Sequence, residues 1–413
     1  MRRVVVTGLG AVSGAGVGIE TLWNAVISGK SLIKPIKDFD VTGWDCSVAG
    51  YDPEFHPEAF LPPRVVKQTD VFQQMGLIAA IQAVQDAELN FAHYPPEKVG
   101  IIAGSSHGGI QSAVEEIERS LTKGIEWTSP FFAPKVTINH LVGQIAQHFG
   151  IMGWNTGIAN SCATGITVIG LSFWLIRSGV LEVALAVSAE KNVVAQVYST
   201  FHRLRALAHT DELNPEKSLK AFHRRRSGTV LGDGAGALVL ESLESAQKRS
   251  AKIYGEILGF GSSNDAYHPV APHPQGTGAV ISMRSALQDA RLSTQDVDLV
   301  HCHATATKLN DYTEFLALKE VFGAYLEKLP VTATKGIHGH LIGATGTVES
   351  ALELFSLYRK KIPPIPFLDE PDPEIPLFFL RQPLDARDIQ TVMVNSFGFG
   401  GHNASLLIRS FLS

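Results

Sequence analysis

The sequence predicts an α/β fold, and three features carry that reading. Short β-branched runs ending in small residues alternate with longer helical stretches; 45% of the 413 residues are hydrophobic and only 18% charged; and glycine and proline punctuate the segments between. In chain order the predicted strands cover residues 4–10, 99–104, 183–189, 237–240, 297–301 and 392–395. Each is a compact apolar run of the kind that sits in the middle of a sheet. Predicted helices cover 71–87, 109–121, 141–149, 279–290 and 313–322, and a stretch apolar on nearly every side, 166–176, reads as a helix buried all round. The segments 98–104 and 298–303 each lead a strand into a small, polar turn, and 183–189 resembles 392–396 in the same way, a pattern that allows an internal duplication. Residues 211–227 read as a polar excursion and 362–376 as a proline-rich loop.

Composition excludes several classes. The apolar content is too high for a disordered chain. A formal charge of −5 gives no basic field able to neutralise many phosphates, so nucleic acid is not an expected partner. The three cysteines, Cys46, Cys162 and Cys302, form no disulfide framework and point to a reducing cytoplasm. The amino terminus runs straight into a strand with no apolar leader segment, and the greasiest stretch, 165–189, is interrupted by Arg177 and Glu182, so neither a signal peptide nor a membrane span is expected.

Two motifs invite chemistry of other kinds. Gly8-Leu9-Gly10-Ala11-Val12-Ser13-Gly14 follows a strand, but its third glycine falls one place late for a dinucleotide fingerprint, and a tight structural turn is the better reading. Gly104-Ser105-Ser106-His107-Gly108 satisfies the nucleophile-elbow pattern with Ser106 as nucleophile, which would make the protein a serine hydrolase.

A stronger candidate is Asn160-Ser161-Cys162-Ala163-Thr164-Gly165, where Cys162 precedes the buried helix. Free amides and the dipole at a helix amino end favour a thiolate and can hold an oxyanion, although cysteine is more often an inert core residue. His303 follows a predicted strand; His338 and His340 lie among glycines in 334–344; a zinc site would want further ligands at recognisable spacing. Asn395-Ser396-Phe397-Gly398-Phe399-Gly400-Gly401 has too many glycines for a strand and reads as a mobile turn presenting aromatic rings and amides, or simply as a hairpin turn.

Taken in order, these segments, with Arg2 to Gly10, Leu231-Gly232-Asp233-Gly234-Ala235-Gly236 and Lys335, resemble the condensing enzymes of fatty-acid and polyketide synthesis, most closely the β-ketoacyl-acyl-carrier-protein synthase II type. The resemblance covers essentially the whole chain. It implies the thiolase fold, with duplicated halves, 1–250 and 251–413, in α-β-α-β-α layers, the first half carrying the nucleophile and the dimer interface. It further implies that Cys162 takes an acyl group from acyl carrier protein, with the amides of Cys162 and Phe399 as oxyanion hole. His303 and His340 would then assist decarboxylation of malonyl carrier protein, with Lys335, Glu314 and Glu349 in support, Thr305 and Thr307 on the carrier's phosphopantetheine arm, and Phe399 as a gate. No metal or organic cofactor of its own is implied. The protein would be a cytoplasmic homodimer, or the active half of a heterodimer with a related ketosynthase-like subunit. Arg64, Lys67, Arg203 and Arg205 are candidates for steering the acidic carrier.

Three departures from the family pattern are Ala304, Lys308 and His402. His107 in the expected acyl channel, and His202-Arg203 beside Phe201, turn the reading from a plain saturated chain towards a polar, unsaturated or aryl-capped one. A non-catalytic partner subunit is the alternative class, against which stands the presence of Cys162, His303, Lys335 and His340.

Overall fold

The computed structural model describes residues 2–411. Its first half comprises β1 (Val4–Ser13), α1 (Val71–Asp86), β2 (Val99–Gly104), α2 (Ile110–Lys123), α3 (Asn139–Phe149), β3 (Asn155–Ile158), α4 (Thr164–Arg177), β4 (Val183–Glu190) and β5 (Gly234–Ser242). The second comprises β6 (Gly255–Asn264), α5 (Thr277–Ala290), β7 (Leu299–His301), α6 (Lys308–Phe322), β8 (Pro330–Thr332), α7 (Thr345–Tyr358), β9 (Thr391–Gly398) and β10 (His402–Ser410). The first half orders its strands β3-β2-β4-β5-β1 and the second β8-β7-β9-β10-β6, so corresponding strands hold corresponding places. Directions agree too: the first three strands of each order are parallel, and the fourth and fifth each run antiparallel to the strand before. The duplication hinted at by short segments is therefore explicit in the topology. The halves join where Val4, Val5 and Val6 pair antiparallel with Ile257, Glu256 and Gly255.

Helices sort the sheets into layers. α1 lies against β1, β4 and β5, and α3 against β2 and β3; α5 covers β6 and β10, with α6 beside it. Between the sheets run α4 and α7, each touching strands of both halves and each other. An apolar surface on every side suits α4 to that place, since both flanks must be buried. The result is α-β-α-β-α, with a separate apolar cluster in the central layer and in each outer one. None of the described helices is long and apolar enough to cross a membrane.

Three local expectations need correction. Gly8 and Gly10 do not form a turn: β1 continues through them, and a Cβ on either would fall on the carbonyl oxygen of Ala83 or Ala79, so they let α1 lie directly on the strand. Residues 395–398 are not a mobile turn but the end of β9, paired through Gly398 with β10, and only Phe399–Gly401 makes the hairpin turn. The sequence reading also passes over α7, because buried Glu349, Ser350, Glu353 and Ser356 blur its apolar pattern.

At the crossing of the central helices, a Cβ on Gly165 would lie 2.5 Å from the amide nitrogen of Thr347, and one on Gly346 would fall on the amide of Ile166. Gly346→Ala must therefore push two backbones apart. Overpacking of this kind costs about 1–3 kcal/mol, so the denaturant midpoint should fall with an unchanged slope; an unaltered midpoint would show that the helices separate freely.

Candidate active site

The crossing places two helix approaches together. Cys162 stands just before α4, after Ser161, whose φ of +48° turns the chain sharply. His340 stands just before α7, the equivalent element of the second half. Cys162 Sγ lies 3.1 Å from His340 Nε2. His303, on the loop after β7, packs with its ring nearly perpendicular to that of His340, centroids 5.3 Å apart, and ligand atoms of all three side chains lie within 4.8 Å of one another. All three are buried.

Burial sets their protonation. It pushes both imidazoles well below the usual histidine range, and nearby Lys335 pushes the same way, so His303 and His340 are neutral at pH 7. The thiol is pushed up to about 12 by burial, although Lys335 and hydrogen bonds from the amides of Cys162 and Phe399 pull it down. The resting group is thus a thiol, not the thiolate expected from the helix amino end; desolvation outweighs the local donors. The same two amides are the donors that an oxyanion hole beside this thiol would use. Ser396 Oγ donates to the Cys162 carbonyl at 2.7 Å, tying the second half to the nucleophile turn.

Supporting groups divide in two. Lys335 Nζ donates to Glu349 Oε1 and Oε2 at 2.8 and 3.0 Å, fully buried. Burial alone would raise Glu349, but Lys335 and His301 bring it down to about 2. Glu314 accepts from the His303 and Ala304 amides at 2.7 and 2.8 Å and so pins the histidine loop; burial raises it to about 7. Ala304 itself adopts φ +45°, where the resemblance expects glycine.

A cavity of about 490 Å³ opens on Cys162, His303 and His340, with Thr305, Thr307, Phe201 and Phe399 among its walls. Thr305 Oγ1 and Thr307 Oγ1 are 3.2 Å apart, and the rings of Phe201 and Phe399 stack at 5.4 Å. Arg205 and Lys308 also line it, while Arg64, Lys67 and Arg203 are exposed residues that are not among its walls. His107 is not among the lining residues: its Nδ1 lies 3.2 Å from Asn192 Oδ1 and its amide donates to Glu190. His202 instead stacks on Trp44 at 5.4 Å. Ser106 Oγ has no hydrogen-bond partner among the described residues, so the hydrolase reading lacks its base. His338 bonds Thr334 and takes no part in the cavity.

Sequence reasoning missed Glu190, which accepts from the amides of Ser106, His107 and Gly343, and Asp311, which accepts from those of Phe222 and Ala306. An acid closing an apolar strand was the available signal for Glu190. It also missed buried His301, held by Glu353 at 2.6 Å and raised to about 9 by Glu349 and Glu353 against its burial.

Residues 1–246 match the description Beta-ketoacyl synthase, N-terminal domain, and 254–368 match Beta-ketoacyl synthase, C-terminal domain. The chain is 35% identical over 410 residues to 3-oxoacyl-[acyl-carrier-protein] synthase 2 of Staphylococcus aureus strain COL, covering 99% of each. Among solved structures it resembles the ishigamide ketosynthase/chain length factor, with TM-score 0.91, 32% identity and full coverage of both chains. A type II polyketide synthase ketosynthase, solved with its acyl-carrier protein and bound to the hexaketide, gives TM-score 0.90 at 28% identity, again with full coverage of both.

Two outcomes follow from the site's electrostatics. Because only the thiolate is nucleophilic and the thiol titrates at about 12, alkylation of Cys162 by iodoacetamide should rise roughly tenfold per pH unit from pH 6 to 9; peptide mass spectrometry would read it, and a plateau below pH 8 would reveal a thiolate held by the site. Lys335→Met strips a fully buried carboxylate of its main partner, and loss of one member of such a pair costs about 3–5 kcal/mol. Chemical denaturation should register that loss, and an unchanged midpoint would mean that His301 alone balances Glu349.

Proposed function

The chain belongs to the β-ketoacyl synthase family, and from that premise we propose that it catalyses decarboxylative Claisen condensation of an acyl group held on Cys162 with malonyl-acyl carrier protein, lengthening the chain by two carbons. The observation that carries this reading is the meeting of one thiol and two neutral imidazoles in the wall of one cavity.

In the first step Cys162 Sγ attacks the thioester carbon, the carbonyl oxygen takes the negative charge against the Cys162 and Phe399 amides, and the carbon–sulfur bond to the carrier arm breaks. The thiol proton ends on the departing pantetheine sulfur. Malonyl carrier protein then occupies the cavity, and its carbon–carboxylate bond breaks to give carbon dioxide and an enolate. N–H groups of His303 and His340 hold the enolate oxygen while its carbon attacks the acyl-cysteine, returning the sulfur as leaving group. Neutral imidazoles suit this role because each keeps one N–H to donate and carries no charge of its own.

No base strong enough to deprotonate a thioester is needed, since decarboxylation supplies the carbanion. The three side chains are close enough to be bridged by a metal ion, yet the reaction as proposed runs without one, and condensation should survive a chelator. Phosphopantetheine arrives with the carrier, along the wall that holds Thr305 and Thr307. Arg205 and Lys308, exposed at the cavity, would meet its acidic surface. Residues 1–250 would contribute nucleophile and dimer interface, and 251–413 the histidines and the gate at Phe399. β3 is the outer strand of the first sheet, beside exposed Met152 and Trp154, and offers a free edge to a second copy or to a related ketosynthase-like subunit. The cytoplasm is the proposed compartment.

For the acyl group we favour an unsaturated or aryl-capped chain. The support is the stacked Phe201–Phe399 wall, which suits a flat conjugated chain, together with the likeness to polyketide ketosynthases. His107 no longer supports it, because it does not line the cavity.

Incubation with saturated, polyenoyl and aryl acyl-carrier thioesters, followed by intact and peptide mass spectrometry, tests both levels. Acylation at Cys162 that disappears in Cys162→Ala is expected, fastest with the conjugated donors. Equal turnover of long saturated donors would overturn the substrate class, and no adduct with any donor would point to a non-catalytic partner subunit.

A further inference from the structure

His340 has a second partner that the mechanism above does not use. Its Nδ1 lies 3.0 Å from Thr345 Oγ1, both residues are buried, and His340 is the sole hydrogen-bond partner of that hydroxyl among the described residues. Ile342, at φ +46°, folds the chain between them so that the first residue of α7 comes back under the ring. The backbone of His340 is fixed as well, its N–H donating to Val230 O at 2.7 Å and its carbonyl accepting from the Gly232 amide at 3.0 Å. Ring position is therefore rigid, and the open variable is which nitrogen carries the proton.

We propose that Thr345 is a positioning residue that donates its hydroxyl proton to His340 Nδ1 and so fixes the ring as the Nε2–H tautomer. A count of polar hydrogens supports this choice. If Thr345 donates, its hydrogen and the Nε2–H, which faces Cys162 Sγ, are both satisfied, and only a weakly polar S–H goes without an acceptor. In the opposite tautomer Nδ1–H donates to Thr345, and the buried hydroxyl hydrogen is left with no acceptor among the described residues.

The consequence rests on the condensation reading. One fixed tautomer then serves both steps: Nε2–H supports the sulfur as it gives up its proton, which passes to the departing pantetheine sulfur, and later donates to the enolate oxygen. No proton has to move within the ring between them. His303 is anchored differently, since its Nδ1 has no hydrogen-bond partner among the described residues.

The test compares wild type with Thr345→Val, which keeps the shape and removes the hydroxyl, and Thr345→Ser, which restores it. Three quantities are read: the rate of acylation at Cys162, the rate of malonyl-carrier decarboxylation, and the 15N shifts of the His340 ring. The valine variant should lose about tenfold in each rate and shift His340 towards Nδ1–H, and serine should bring both back. Rates within twofold of wild type, or an unchanged Nε2–H signature in the valine protein, would overturn the proposal. Should valine not fold, Thr345→Ala carries the same comparison. If wild type itself neither acylates nor decarboxylates, the condensation reading fails, while the nitrogen shifts still decide what Thr345 does.

Discussion

Everything at the cavity depends on how closely two backbones approach between the sheets. Where α4 meets α7, glycines at 165 and 346 remove the side chains that would hold the helices apart. That contact brings the turn before each helix to the same point. Cys162 comes from one and His340 from the other, and a separation of 3.1 Å between sulfur and nitrogen is the direct result. Moving the helices by the width of a methyl group would leave every named residue in place within its own half and still dissolve the constellation.

The electrostatics of the same layer explain why the resting site is quiet. Lys335, Glu349 and His301 sit together with no exposure, Glu349 pairing with both of the others. Desolvation leaves the cysteine a thiol against the pull of Lys335, and desolvation together with Lys335 keeps the two histidines neutral. Reactivity is then supplied by the substrate: the charge that the amides and imidazoles can hold appears only when a thioester is attacked or a carboxylate leaves.

Much of this was legible in the sequence, and the exceptions have physical causes. Apolar runs marked most sheet strands, and the all-round apolar pattern marked α4, because burial on both faces leaves no polar residues to confuse the period. α7 carries the same burial with four polar side chains among its buried residues, and so its pattern is lost. Cys162, His303, Lys335 and His340 could be named from motif order, but the state of the thiol could not, since the helix amino end is visible in a sequence and the desolvation around it is not. Glycine spacing in β1 misled in the opposite sense: it reads as a turn, whereas it records a helix lying on a strand. His107 is held by a neighbouring acid and amide, contacts that its motif does not announce.

The repeated strand order has an evolutionary corollary. Two halves of one topology began as interchangeable, yet the turn before the central helix now carries a cysteine in one and a histidine in the other, and neither half encloses a working pocket alone. Such a split of duties makes the original exchange irreversible. Each copy is free to drift in its outer layers but is held to its sister at the shared seam, so relatives of this protein should diverge fastest on the outer helices and slowest along that inner boundary.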